Sequence, residues 1–220
     1  MEFITVFKEA TPLLLKGLGV TISVSLISIA IGMVIGLITC FMGRSKNIIL
    51  KGISAVYVWC VRGTPMIVQA LVVFFGIPFI TGVRIESFYA GIITLSLNAG
   101  AYMSEIFRGG IQSVSIGQIE AARSLGLSQF RTMLKIVLPQ AFKMSIPSFV
   151  NQFIITVKDS SILSIIGLAE LVNMGEVYIG ATYIYFPVYI TIAAYYLAVI
   201  SVLMVVSKFV EKKLSYDKKS

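Results

Sequence analysis

Residues 18–42 read LGVTISVSLISIAIGMVIGLITCFM, an apolar run of 25 residues without a charged side chain. A helix needs about 20 apolar residues to cross the roughly 30 Å hydrocarbon core of a bilayer, so this run is long enough for one span. The rest of the chain has the same character: of 220 residues, 57% are hydrophobic and 13% are charged, against about a quarter charged in soluble domains. The sequence therefore predicts an all-α membrane protein.

Outward from this run, four more apolar stretches follow along the chain. The five predicted transmembrane helices cover about 18–42, 56–80, 88–107, 148–166 and 185–209. The second is interrupted at Arg62-Gly63-Thr64-Pro65, and proline is tolerated where a helical piece begins, so an irregular end is predicted there. Residues 108–146 are more polar and are predicted to form a loop with helices of its own. We expect one transmembrane domain over 1–220.

Five spans place the two termini on opposite sides, so the distribution of Lys and Arg decides between two orientations. With a cytoplasmic C-terminus, thirteen of the 18 basic residues are cytoplasmic, and three, Lys8, Lys16 and Arg84, are outside. The thirteen are Arg44, Lys46, Lys51, Arg108, Arg123, Arg131, Lys135, Lys143, Lys208, Lys212, Lys213, Lys218 and Lys219. The sequence predicts an N-terminus outside and a cytoplasmic C-terminus. Topology also accounts for the net charge of +8, so we expect no nucleic-acid partner.

Residue types that support catalysis are scarce. The chain has no histidine, which excludes imidazole metal sites and Ser-His or Cys-His nucleophile pairs. Cys40 and Cys60 both lie in apolar runs without the spacing of a zinc cluster, and we interpret them as packing residues. We expect no catalytic residue and no metal site.

The loop over 108–146 contains two short helix-forming stretches. The first covers 119–126 and ends at Gly126, which can adopt the left-handed conformation that closes a helix. The second is predicted over 127–137 and is stopped by Leu138-Pro139. Two such helices form a compact projection for a partner, although an interfacial amphipathic helix covering the bundle is the alternative.

Part of this loop carries a recognisable motif. Glu120 complements the positive end of the helix dipole, and the small Ala121 and Ala122 allow close approach of a partner surface. The spacing of Glu120-Ala121-Ala122 to Gly126 and then to Leu138-Pro139 resembles the EAA loop of ABC-importer permeases. Four further segments resemble the polar amino-acid permeases of the histidine, glutamine and arginine type: Arg62-Gly63-Thr64-Pro65, LSLNAGAY at 95–102, Glu105-Ile106-Phe107-Arg108, and Lys158-Asp159-Ser160-Ser161.

The resemblance extends from about residue 18 to residue 209 and implies a transmembrane domain of the type I ABC importer kind, in a bacterial-type inner membrane. It implies a second permease subunit, expected as a homodimer, and two cytoplasmic ATPase subunits docked on the EAA loop. It also implies an extracytoplasmic amino-acid-binding protein. The chain lacks a G-x-x-x-x-G-K-[ST] phosphate loop, so no cofactor is expected in it, and ATP and Mg belong to the partner subunits. We expect a transport component and no enzyme, working by alternating access.

Lys158 and Asp159 are charged residues inside an apolar run. A charge at the bilayer centre costs on the order of 2.5–3.5 kcal/mol on insertion scales. Counted from Ser148 at about 1.5 Å per residue, Asp159 lies roughly 16 Å into the core, near its midplane. The hypothesis is a local opening over 158–161 that lets Lys158, Asp159, Ser160 and Ser161, with Asn98, bind the ammonium and carboxylate of an amino acid. The alternative is a buried ion pair that tightens helix packing or the dimer interface.

Other polar residues are secondary candidates. Asn151 and Gln152 precede Lys158 and Asp159 by seven residues each and could share their helix face. Arg62 and Glu105 are predicted to form an interhelical ion pair near the cytoplasmic side. Glu170 and Glu176 either help to dock a binding protein or to gate, or are ordinary solvated loop charges. Gly32 and Gly36 have the spacing of a helix-packing face.

The sequence therefore leaves three alternative functions. The first is the permease subunit of an ATP-driven importer for polar or basic amino acids. The second is a secondary transporter or small channel in which Lys158 and Asp159 form an ion relay. The third is an ABC-importer permease for a solute other than an amino acid, because the EAA loop specifies the machinery and leaves the cargo open.

Overall fold

The computed structural model describes residues 2–216, with side chains for residues 3–212. Lys218 and Lys219, two of the predicted cytoplasmic basic residues, lie outside the described residues, as does the side chain of Lys213. Every regular element within 2–216 is helical. The elements are α1 (Glu2–Gly43), α2 (Ile48–Gly63), α3 (Met66–Leu71), a π turn (Val72–Gly76), α4 (Ile77–Thr81), α5 (Ser87–Gln112), α6 (Ile116–Ser124), α7 (Gln129–Thr132), a π turn (Met133–Val137), α8 (Leu138–Asp159), a 3₁₀ segment (Ser160–Ile166), α9 (Leu171–Thr182) and α10 (Phe186–Tyr216).

Helix α1 extends well beyond the apolar run that predicted it. It has 42 residues, continues through Pro12, and its N-terminal turns bury Val6, Ala10 and Leu14 in a cluster with residues of α9 and α10. Lys8 lies on the exposed side of these turns. Residues before 18 include charged side chains and so lie outside the continuous apolar run. They are helical because one of their faces is apolar and packs against α9 and α10.

Helix α5 lies at the centre of the bundle, packed against α1, α2 and α8. Its contact with α1 is close because α1 presents glycine there: a Cβ at Gly32 would lie 2.9 Å from the Ala99 Cβ, and one at Gly36 would overlap Met103. The predicted packing role of Gly32 and Gly36 is confirmed. Small residues at such a face let two helix backbones approach closely.

Within the described residues, three helical stretches are long and apolar enough to cross a membrane: Phe3–Gly43, Gln129–Ile166 and Phe186–Lys212. A fourth span is possible if α2 and the helices from Met66 to Thr81 form one broken unit, which bends by 108°. Helix α5 is long but carries many small and polar residues, and its surroundings are other helices. Five spans and their orientation remain predictions from the sequence.

The segment between α5 and α8 forms two short helices joined at Gly126, as predicted. Gly126 has φ +82°, and the Leu127 N–H donates to Ala122 O at 3.1 Å, which closes α6 with a glycine cap. The predicted stop at Leu138-Pro139 is wrong. The chain passes from α7 through a π turn directly into α8, with the Leu138 N–H donating to Met133 O. Pro139 directly follows this π turn, where the shift in hydrogen-bond register accommodates a residue without an N–H inside a continuous helical path.

Candidate functional site

A cavity of about 370 Å³ lies where the α2–α3 bend meets α5 and α8. Its lining consists of Thr64, Pro65, Met66, Asn98, Tyr102, Gln152, Ile155 and Asp159. The bend supplies the first three residues, and α5 and α8 supply the polar side chains that face them. Two predicted substrate residues, Asn98 and Asp159, and one secondary candidate, Gln152, therefore share one cavity.

Asn98 is held on the cavity wall by a partner that the sequence analysis missed. Its Nδ2 donates to Gln69 Oε1 at 3.2 Å, and Gln69 Nε2 donates to Val61 O at 2.7 Å and to Thr64 O at 3.0 Å. Gln69 thus ties α5 to the bend. Gln69 could have been found from the sequence as the lone amide in the apolar helix after Pro65, because amides in such helices form interhelical hydrogen bonds. Asn98 Oδ1 accepts no hydrogen bond from the described residues.

Asp159 is the last residue of α8 and is half-buried at the cavity wall. Its carboxylate makes no hydrogen bond or ion pair within the part of the chain that the structure describes. Among the described lining residues it is the only charged side chain. A carboxylate in this position presents an acceptor for a cationic group that enters the cavity.

Lys158 does not join this site. It is exposed, does not line the cavity, and forms no ion pair with Asp159 in the described structure. Successive helical residues project in directions about 100° apart, which separates the two side chains. The structure therefore brings Asp159 to Asn98 and leaves Lys158 on another face.

The predicted opening over 158–161 is wrong. The chain stays helical and tightens from α8 into the 3₁₀ segment, with Ser160 Oγ donating to Val157 O at 2.9 Å and Ser161 Oγ donating to Lys158 O at 2.7 Å. The two hydroxyls donate hydrogen bonds to carbonyl groups at the end of α8. These carbonyl groups are therefore not free to line a cavity, as the predicted opening required. Ser160 is fully buried, Ser161 is half-buried, and neither lines the cavity.

A second cavity, of about 930 Å³, lies between α5, α8 and α10 and includes Asn151 together with Gln152. Gln152 lines both cavities, whereas exposed Asn151 lines only this one of the two. Glu105 also reaches this larger cavity.

Glu105 centres a small ion cluster beside the bend. It pairs with Arg108 on its own helix through two hydrogen bonds, and Arg62 Nη1 lies 3.8 Å from its Oε2. The Arg62 guanidinium also lies over the Tyr102 ring, 5.3 Å from its centroid. The predicted Arg62–Glu105 pair is confirmed. Because Tyr102 lines the 370 Å³ cavity, the cluster adjoins it directly.

The predicted docking segment is largely exposed. Glu120 and Ala121 lie on its surface, but Ala122 is 5% exposed and packs inward, so it is not accessible to a partner. Two large apolar side chains that the sequence analysis did not single out, Leu125 and Phe130, are 84% and 74% exposed. This exposed apolar surface could have been predicted from the sequence, because Leu125 and Phe130 are apolar residues on either side of Gly126 in a polar loop.

Of the alternatives left open for Glu170, the solvated loop charge is wrong. Glu170 is 0% exposed at the start of α9, whereas Glu176 on the same helix is exposed. Burial raises the pKa of Glu170 to about 6, partly offset by hydrogen bonds from Val172 N, Asn173 N and the Tyr196 hydroxyl.

Comparison with known proteins finds relatives that are all named as components of amino-acid transport systems. The chain is 37% identical over 214 residues to the putative glutamine transport system permease protein GlnP of Rickettsia felis, covering 97% of this chain and 98% of that protein. It is 36% identical over 203 residues to the arginine transport system permease protein ArtQ of Bacillus subtilis, covering 92% and 93%. A crystal structure of an amino acid ABC transporter with histidines superposes with a TM-score of 0.91 at 36% identity, covering 97% of this chain and 99% of that chain.

The resemblance in the loop and span motifs is thus confirmed over nearly the whole chain. Residues 28–216 match the model of the family described as binding-protein-dependent transport system inner membrane component. With that match and full-length relatives above 30% identity, the chain belongs to the family of binding-protein-dependent transport system inner membrane components.

Proposed function

We propose that this chain is the translocating subunit of an ATP-driven importer for polar or basic amino acids. The relatives named for glutamine and arginine support the substrate class, and the 370 Å³ cavity is the observation that carries it. Its volume suits a ligand of amino-acid size, and its polar groups are few and convergent, as in small-molecule sites.

Asp159 is the proposed acceptor for a cationic group of the substrate, either the α-ammonium or a basic side chain. Neutral groups in the same lining, the Asn98 amide and Tyr102 hydroxyl on α5 and the Gln152 amide on α8, offer hydrogen bonds to the remaining polar atoms. Lys158, Ser160 and Ser161 are proposed to support the turn behind Asp159. Their positions outside the lining argue against direct contact in this conformation.

The loop between α5 and α8 is the proposed docking surface for the cytoplasmic ATPase subunits. Exposed Glu120 and Ala121, the Gly126 turn, and the apolar side chains of Leu125 and Phe130 form a rigid projection. Leu138 and Pro139 link this projection to the cavity, because α7 continues through the π turn into α8, which ends at Asp159. Movement of the projection can thus reorient α8 and alternate access to the cavity.

The complete machine proposed here contains two ATPase subunits that hold ATP and Mg, a second copy of this chain, and an extracytoplasmic binding protein. Membership of a binding-protein-dependent family supports the last of these. The proposed orientation, with the N-terminus outside, rests on the excess of basic residues on the cytoplasmic side.

A reconstituted complex tests this function. Proteoliposomes that contain this chain, its ATPase subunits and its binding protein are expected to take up L-arginine or L-glutamine only when ATP is supplied. Asp159→Asn is expected to raise the KM for uptake at least about tenfold, by removing a charged hydrogen-bond partner worth roughly 1.5–3 kcal/mol. Glu86→Gln, which changes an exposed carboxylate outside the cavity lining, serves as the matched control.

Two results would contradict the proposal. Uptake by this chain alone without ATP would favour the ion relay of a secondary transporter or channel. ATP-dependent uptake of another solute, with no uptake of amino acids, would support an ATP-driven importer but contradict the proposed substrate class.

A further inference from the structure

A cavity of about 560 Å³ lies between the end of α1, helix α2 and the C-terminal part of α5. None of its described lining residues lines the 370 Å³ cavity, and the proposed transport cycle gives it no role. Four basic side chains line it: Arg44, Lys51, Arg62 and Arg108. Glu105 is the only acidic side chain among the described lining residues, so the cavity has an excess of three positive charges. The cavity is therefore a candidate site for an anion.

The positive charges in this cavity are only partly neutralised. Glu105 is shared between Arg108, which it binds through two hydrogen bonds, and Arg62 at 3.8 Å. The side chains of Arg44 and Lys51 form no hydrogen bond or ion pair within the part of the chain that the structure describes. Topology accounts for basic residues near the cytoplasmic surface, but it does not require four of them to line one cavity. Because like charges repel, an anion bound among them would be stabilised.

The wall formed by α1 and α2 is held in place by a close helix contact. Ser54 Oγ on α2 donates to Thr39 O on α1 at 2.9 Å. A Cβ at Gly43 would lie 3.1 Å from Ser54 Oγ, so glycine lets the two helices approach closely. Arg44 directly follows Gly43, and Lys51 lies in the first turn of α2. The backbone that carries both basic residues is therefore already in place, which lowers the entropy cost of binding a ligand.

An apolar face of α2 lies beside the basic cavity. Ile49, Ile53 and Val56 are exposed and, at spacings of four and three residues, share one face of the helix. Trp59 is 77% exposed and lines the cavity, and helical spacing places it between this face and the basic side chains. Tryptophan is enriched where lipid chains meet headgroups. A ligand with an anionic group and apolar chains would contact both surfaces, whereas a free phosphate would contact only the charges.

We propose that this cavity binds the phosphate group of an anionic phospholipid, with the acyl chains along the apolar face of α2. Guanidinium groups bind phosphate through paired hydrogen bonds, and basic pockets between transmembrane helices on the cytoplasmic side bind anionic lipid headgroups. The assignment to the cytoplasmic leaflet rests on the proposed orientation. Lipid binding itself does not depend on the proposed transport of amino acids.

The fluorescence of Trp59 tests this proposal, because Trp59 is the only tryptophan in the chain and lines the cavity. The full-length protein is reconstituted in phosphatidylcholine vesicles that contain increasing amounts of brominated phosphatidylglycerol or, in parallel, brominated phosphatidylcholine. Bromine quenches the indole only when the lipid is in contact with it. Brominated phosphatidylglycerol is expected to quench more strongly, with an affinity for the site at least about fivefold higher than that of phosphatidylcholine.

Single substitutions identify the charges responsible. Arg44→Gln and Lys51→Gln are each expected to lower the preference for phosphatidylglycerol at least about twofold. Quenching by brominated phosphatidylcholine should stay parental in both, which shows that the variants are folded. Lys46→Gln is the matched control, because Lys46 is an exposed basic residue of the same α1–α2 connection and does not line the cavity. Its preference is expected to stay parental.

Several results would overturn the proposal. Equal quenching by the two lipids would mean that the cavity does not select an anionic lipid, and an equal loss in Lys46→Gln would assign the preference to general surface charge. Soluble sn-glycerol 3-phosphate is expected to leave the quenching unchanged. If it abolishes the preference instead, the ligand is a soluble phosphate ester.

Native mass spectrometry of the complex assembled with its ATPase subunits gives an independent measurement. The parent complex is expected to retain phosphatidylglycerol, and the Arg44→Gln complex to retain less of it. A parent complex without this lipid would mean that a protein partner covers the cavity, which overturns the proposal. Neither measurement uses uptake, so a failure of the proposed transport function is distinguishable from a failure of lipid binding.

Discussion

Asn98 on α5 and Gln69 on α3 are joined by a 3.2 Å hydrogen bond, from Asn98 Nδ2 to Gln69 Oε1, across the wall of the cavity. Gln69 extends this contact backwards over the 108° bend by donating to Val61 O and Thr64 O. These carbonyl groups lie at the end of α2, where a helix no longer supplies backbone N–H donors for them. The pair therefore fixes the bend against α5 and sets the shape of the cavity.

Replacing Gln69 with leucine is expected to lower the free energy of unfolding by about 1–3 kcal/mol, because the end of α2 loses its donor and Asn98 loses its acceptor. Thermal unfolding of the purified protein in detergent measures this. Ile67→Leu, an exposed apolar exchange two residues earlier, is the control and should leave the midpoint unchanged. A parental midpoint for Gln69→Leu would show that the bend is held by other contacts.

Gly36 and Gly19 offer a matched pair of substitutions on α1. A Cβ at Gly36 would overlap Met103, whereas one at Gly19 would have nothing within 4 Å. Gly36→Ala is expected to destabilise the protein by about 1–3 kcal/mol through overpacking. Gly19→Ala should stabilise it by up to about 1 kcal/mol, through higher helix propensity alone. Thermal unfolding of both variants gives the comparison, and equal midpoints would contradict the close α1–α5 packing.

Much of this arrangement could be predicted from the sequence, for physical reasons that differ between elements. The apolar run at 18–42 identified α1, because crossing a bilayer demands it, and G-x-x-x-G spacing identified its packing face. The glycine turn at Gly126 followed from local conformation alone. These features depend on neighbours in sequence, so patterns along the chain are sufficient to find them.

Other features depend on tertiary contacts that the pattern does not contain. Gln69 was missed because its partners, Asn98 and the end of α2, become neighbours only at the bend. The role of Glu170 was left open because its burial requires α1 and α10 to cover the start of α9. Lys158 was grouped with Asp159 by adjacency, yet an unbroken helix separates their side chains. The helix was expected to open there, and two serine hydroxyls at its end close it instead.

Leu125 is expected to be a principal contact for the proposed ATPase subunits. It is exposed beside the Gly126 turn, where an apolar side chain has no partner in the described chain and suits the buried centre of an interface. Leu125→Asp should weaken co-purification of the ATPase subunits at least about tenfold in affinity, since a carboxylate would then be desolvated there. Val83→Asp, in the exposed connection before α5, is the control. Unchanged co-purification of Leu125→Asp would place the ATPase contact elsewhere.

The buried Glu170 carboxyl predicts a specific dependence of stability on pH. Burial raises its pKa from 4.5 to about 6, and the charged or titratable groups that face it are Tyr196 on α10 and Glu176 on its own helix. Because the folded state holds this proton more tightly than the unfolded state, the stabilisation is complete below about pH 4.5. It is lost as pH rises through about 6. The change is on the order of 2 kcal/mol, at about 1.4 kcal/mol per pKa unit.

Glu170→Gln removes this titration. Its glutamine amide faces backbone donors with an N–H, so we expect a loss of stability that is the same at every pH. The difference in free energy of unfolding between parent and variant should therefore shrink as pH rises from 4.5 to 6.5, because only the parent loses stability over that range. Denaturant unfolding in detergent at a series of pH values measures it, with Glu86→Gln, which changes an exposed carboxyl just before α5, as the control. A difference that stays constant across this range would mean that Glu170 is ionised with an ordinary pKa in the folded protein, and that water reaches the start of α9.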